Sequence, residues 1–174
     1  MRLFRSGSLL LFVCLMLAGA ASAQKSRPRR AQPAKPPVSK VAPLDVRTAR
    51  EKVEIQRSNV SLFIDVLGPI AQAIENADAA ARAGRLSPSA VQKNEQDKRR
   101  VIAAIRNLRV GIAELESDFR TKTSLRKYLP TIQGSTDLVA SSEDLALAGK
   151  FVAAKDPLRD VLKKLIDTLN VMPQ

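Results

Sequence analysis

The chain is 174 residues long and carries 29 Lys+Arg against 17 Asp+Glu, a formal net charge of +12. It has no His, one Cys and only 3% aromatic residues. This composition excludes a Ser-His-Asp triad, a Cys-His pair and any His-ligated metal, and the length suits one domain behind a leader.

Arg2 and Arg5 precede an apolar run from Leu9 to Ala21, and Ala21-Ser22-Ala23 follows as a small-x-small cleavage pattern. Residues 1–23 are therefore expected to be a cleaved secretory signal peptide. As a helix the apolar run would reach about 20 Å, short of the ~30 Å hydrocarbon core, so no transmembrane span is expected after cleavage. Cleavage would also remove Cys14, the sole cysteine, and with it any disulfide or thiolate metal site. Export without disulfides points to a bacterial protein of the periplasm or the extracellular space.

Residues 24–43 hold Lys25, Arg27, Arg29, Arg30, Lys35 and Lys40, no acid, and five prolines. Such a segment buries too little apolar surface to offset its ordering entropy. A disordered, basic, Pro-rich tail is expected, able to act as an electrostatic tether to an anionic surface.

From Leu44 the hydrophobic period becomes helical. Val46, Ala49, Val53, Gln56, Val60, Phe63, Leu67, Ile70, Ile74, Ala77 and Ala81 alternate steps of three and four, with Gln56 the one polar member. Pro69 removes one backbone hydrogen bond, but the register continues across it, so a kink is expected there. Gly84 suits a left-handed helix end. Ser87 then suits an N-cap and Pro88 the first helical position. A second stripe, Val101, Ile105, Leu108, Ile112, Leu115 and Phe119, carries a helix to about Lys122. A short loop between two striped helices makes an antiparallel hairpin, in which facing residue numbers sum to about 170.

A third helix is expected from Ser135 to about Ala154, with Leu138, Val139, Leu145, Phe151 and Val152 inward. Asp156-Pro157 reads as the cap and first residue of a fourth, striped by Leu158, Val161, Leu162, Leu165, Ile166 and Leu169. The expected fold is all-α: a long antiparallel helical hairpin completed by two shorter helices into a four-helix bundle, residues 44–174, behind the disordered tail.

Charge is uneven along this domain. Its net excess of +4 is also the net charge of residues 82–100, so the remainder balances. The hairpin tip is therefore the second candidate for an anionic partner, through Arg82, Arg85, Lys98, Arg99 and Arg100.

Little catalytic chemistry is in view. Glu114, Glu116 and Asp118 are spaced by two, which scatters them around a helix, and Glu143-Asp144 has the same defect. Ser124-Leu125-Arg126-Lys127 has the Ser-x-x-Lys form without companion motifs; Ser124 is expected instead to cap a short turn. No Gly-rich phosphate loop or calcium loop occurs. The aromatics beyond the expected cleavage site are Phe63, Phe119, Phe151 and Tyr128; three of these fall on apolar stripes or beside core positions, leaving no base-stacking platform, so no specific nucleic-acid binding is expected.

The expectation is an exported, non-enzymatic helical binding or structural protein, without cofactor or metal. Its basic tail would tether it to an anionic envelope surface or an acidic protein partner. The alternative is a periplasmic holdase-type chaperone for envelope proteins. The long helical stripe also allows homodimerisation.

Overall fold

The computed structural model describes residues 42–174. The expected signal peptide (1–23) and the tail cations Lys25, Arg27, Arg29, Arg30, Lys35 and Lys40 lie outside the described residues. Ala42, at the end of the expected tail, is buried against the core.

The described residues form an all-α four-helix bundle. Helix α1 spans Leu44–Arg82 and α2 spans Pro88–Thr121. A single 3₁₀ turn, Arg126–Tyr128, runs into the short α3, Leu129–Ile132. Helices α4, Ser135–Leu147, and α5, Lys155–Val171, complete the chain. At 1.5 Å per residue α1 and α2 are about 58 and 51 Å long, whereas α4 and α5 have 13 and 17 residues.

The hairpin turn forms as its residues dictate. Ser87 accepts the amide of Ala90 at 3.3 Å with Pro88 at the first helical position. Gly84 takes φ 67°; its N–H reaches Ala81 and the Arg85 N–H reaches Ala80, the paired bonds of a Schellman end. Helix α1 stays helical through Pro69 without a break. The hairpin register is fixed by Lys52 donating to Asp118 at 2.7 Å and Asn94 donating to Asp78 at 2.7 Å, close to the expected sum of 170. Gln56, the polar member of the α1 stripe, lies against Gly111, where an added Cβ would meet its amide at 2.6 Å. A glycine there gives the polar side chain its room.

Each long helix then receives one short helix, antiparallel. Arg50 of α1 donates to the carbonyls of Leu169 and Met172 at the end of α5, at 2.8 and 3.0 Å. Glu75 accepts the Val152 amide just before α5, at 2.8 Å. Between α2 and α4, Glu116 receives the amides of Gly134 and Thr136, and Arg106 and Arg109 grip Glu143. The Ser142 hydroxyl donates to Ala154, closing α4 onto the start of α5. The core is continuous through Val53, Val60, Leu67, Ile105, Ile112, Phe119, Leu125, Val139, Phe151, Leu158 and Leu165. Burying each such side chain stabilises the fold by about 1.5–3 kcal/mol before ordering entropy is counted.

Three expectations need correction. The third helix ends at Leu147, not near Ala154, because Gly149 adopts φ 76° and makes a second Schellman end with Lys150. Helix α5 starts at Lys155 behind Ala154, so Asp156 is not its cap. Instead Asp156 sits in the first turn and pairs with Arg159 at 2.8 Å, while Pro157 occupies a first-turn position whose N–H would be unpaired anyway. The core face of α1 passes from Leu67 to Ala71 to Ile74, and Ile70 is 36% exposed on the flank facing α2.

The short helices lie side by side and cover only the base and middle of the hairpin. From Glu75 to Lys93 no residue is buried. The α4–α5 turn reaches Glu75 and borders Asp78 and Arg82 across a groove, and the end of α1 and the first turns of α2 project as a thinly packed tip.

Candidate functional site

The tip is built from small residues. Ala73, Ala77, Ala80 and Ala81 on α1 and Ala90 on α2 let the two helices meet with little apolar filling. On the outer side this leaves a groove of about 430 Å³. Ile70, Ala77, Leu86 and Ala90 line it, with Lys93 and Arg100 among its polar residues.

The five cations expected at the tip fall into different roles. Arg82, in the last turn of α1, and Arg85, in the loop, are exposed. Arg99 is exposed, and its Nε donates to the Glu95 carbonyl at 3.2 Å. Arg100 is 78% exposed and lies 3.5 Å from Asp97, a separation at which an exposed pair contributes little. Lys98 is different. Its side chain is 19% exposed, 2.6 Å from Asp78 on the opposite arm and 2.8 Å from Glu95 on its own. Burial lowers its pKa, but the bonds to Asp78 and Glu95 outweigh that and hold the ammonium above its usual value. Lys98 is thus a cross-hairpin tie rather than a free binding cation. Lys93, exposed beside the groove, takes its place in the exposed basic set.

The carboxylates of the bundle are also engaged. Glu116 is buried, which would raise its pKa. The amides of Gly134 and Thr136, the Thr136 hydroxyl and Arg120 prevail and lower it. Asp118 is lowered first by Lys52, against burial, and then by Lys122. Glu143 is lowered first by Arg106, against burial, and then by Arg109. Each is a structural anion, held charged, and depressed carboxylates are poor general acids at neutral pH. Among the described residues no three Cys, Asp or Glu side chains are grouped so as to hold a metal ion.

Lys127 of the Ser-x-x-Lys stretch stands 4.7 Å above the ring of Tyr128. The Ser124 hydroxyl is buried without a partner among the described residues, and no side chain caps the 3₁₀ turn that follows; the expectation that Ser124 caps it is not met. A larger groove of about 960 Å³ lies between α1 and α5 at the base. Its Arg50 is taken up by the carbonyls of α5 and by Glu54 at 3.2 Å, and Glu51, Arg57, Ser58, Asn59 and Asn170 also line it.

The Asp78–Asn94–Lys98 tie and the Glu116 cap were invisible to sequence reasoning, because their partners lie 16 to 20 residues apart. Along α2, Glu116–Arg120 and Asp118–Lys122 form ion pairs one helical turn apart. No helix among the described residues is long and apolar enough to cross a membrane. No protein-family model, no curated protein and no solved structure matches this chain.

Proposed function

We propose that this is an exported, non-enzymatic binding protein, held at an anionic envelope component by its basic N-terminal segment and presenting the hairpin tip as a second basic contact. The observation that carries this reading is the segregation of charge. The domain's excess cations are concentrated in the projecting, thinly packed tip, where Arg82, Arg85, Lys93, Arg99 and Arg100 stand exposed. The six tail cations precede the same domain with no acid among them. Cations near an anionic surface contribute about 1 kcal/mol each at low salt, so two such sets bind far more tightly than either alone.

The test is co-sedimentation with vesicles of phosphatidylglycerol and phosphatidylcholine across a salt series. Replacing the six tail cations with Gln is expected to reduce binding by at least about tenfold at low salt. Replacing Arg82, Arg85 and Arg99 with Gln is expected to flatten the remaining salt dependence. Equal binding by all three proteins would overturn the reading.

A second reading, a holdase-type chaperone for envelope proteins, is favoured by the apolar groove beside Ile70 and Leu86. It requires stoichiometric suppression of aggregation of an unfolded outer-membrane protein, lost when Ile70 is changed to Glu.

A further inference from the structure

The inward stripe of α1 is consumed by the bundle, yet a second apolar stripe on the same helix is left outside. Ile55, Leu62 and Val66 are 57%, 65% and 56% exposed, and Ile70 is 36% exposed. With Ala73 they follow one another at steps of seven, four, four and three, the spacing of a helix–helix seam. From Leu62 onward the stripe borders α2, with Leu62 beside Ala104 and Asn107 and Ile70 beside Lys93 and Arg100, while Ile55 at the base also borders the groove between α1 and α5. Between Arg100 and Glu114 the outward positions of α2 are Ala103, Ala104, Asn107, Val110 and Gly111, none charged, and Val110 is 58% exposed. The result is a two-helix face that is apolar in its middle, cationic at the tip end (Lys93, Arg100) and anionic at the base end (Glu51, Glu114).

We propose that this face pairs with a second copy of the chain across a twofold axis, antiparallel, α1 on α1 and α2 on α2. The self-complementarity sets the register. Centring the axis near Ile64 places Leu62 of one copy against Val66 of the other and Ile55 against Ala73, a larger residue opposite a smaller one each time. The same operation carries Arg100 to within a turn of Glu114 of the second copy, twice by symmetry. It also brings the Lys93 end of one copy to the level of Glu51 of the other. A parallel pairing would instead stack like ends and lose both contacts. Asp65 stays at the solvent edge of the seam.

The size is adequate. Nineteen residues of helix and two helices across give a face of about 30 by 20 Å, about 600 Å² per copy. Doubled, this reaches the lower end of the 1,200–2,000 Å² typical of specific interfaces. The arrangement is isologous, so it closes at two copies rather than propagating. It leaves Arg82, Arg85 and Arg99 at both ends of the pair, and it stands whether or not an anionic surface is the partner.

Sedimentation equilibrium of the full chain tests this directly. The expected mass at tens of micromolar is twice that of the chain. Leu62→Glu with Val66→Glu is expected to weaken association by at least about 30-fold, with unchanged helical circular dichroism because both positions are exposed. Arg100→Glu is expected to weaken it about tenfold, and adding Glu114→Arg to restore most of that loss. The double reversal separates this register from association through any other apolar segment. A monomer at about 100 μM overturns the proposal, as does association indifferent to the Leu62 and Val66 changes or a charge reversal that fails to rescue.

Discussion

Glu116 shows how one side chain can determine an element boundary. Helix α4 begins behind Gly134, which has φ 82° and no side chain to cap with. The cap comes from across the bundle. Glu116 of α2 accepts the Gly134 amide at 3.1 Å and the Thr136 amide and hydroxyl at 3.2 and 2.9 Å. A carboxylate at a helix N-terminus also meets the positive end of the dipole. Replacing it with Gln keeps the shape but removes the charge from a buried site built for an anion, so Glu116→Gln is expected to destabilise the fold by about 1–3 kcal/mol. The pH dependence follows. Glu116, Asp118 and Glu143 are all held below their ordinary values. A lowered folded-state pKa contributes stability above the unfolded value, which is lost as pH falls through the folded one. Stability is therefore expected to be level near neutrality and to decline below about pH 5. Glu116→Gln should show a shallower decline in urea titrations at each pH; a parallel decline would mean that Glu116 is not one of the groups responsible.

At the scale of elements, local signals were legible and tertiary ones were not. Ser87-Pro88 marked the start of α2 because a cap and a proline act on their own backbone. The α1 stripe was legible because five heptads of apolar residues have one interpretation. Its step at Ile70 is ambiguous: Leu67 to Ile70 and Leu67 to Ala71 both fit a helix, and only the bundle's packing selects Ala71. Gly149 is masked in the sequence because Phe151 and Val152 continue the apolar pattern beyond it, though Phe151 is buried from a turn rather than from α4. The left-handed glycine is what frees that turn. Any side chain at Gly149 would be strained at φ 76°, although nothing lies within 4 Å of an added Cβ. Gly149→Ala is therefore expected to cost about 1 kcal/mol from backbone strain alone, read as a lowered thermal midpoint with an unchanged m-value. No loss would mean that the α4–α5 turn relaxes into another conformation.

Across the whole molecule, stability should fall from base to tip. At the base, four helices share one core, Lys52 bridges to Asp118, and Arg50 holds the last carbonyls of α5. At the tip only the α4–α5 turn borders the two long helices, and the cross-arm ties are polar: Asp78 with Asn94 and Lys98. The sequence showed the gradient in composition, since alanines and cations replace Leu, Ile and Val beyond Ile74. It misassigned Lys98, whose partner Asp78 lies on the other arm and is unrelated to it by any helical spacing. Asp78 links the two arms of the tip. It is the only acid joining both Asn94 and Lys98 among the described residues, so Asp78→Ala removes both cross-arm bonds at once. Local opening of thinly packed segments costs less than global unfolding. Amides of Asn76–Arg82 and Ala90–Lys93 are expected to exchange with deuterium well before those around Val60 and Ile112. Asp78→Ala should speed the tip amides several-fold while leaving the base amides unchanged. A change at the base would show that the tip and the bundle open as a single cooperative unit, in which case the tip could not move separately to meet a partner.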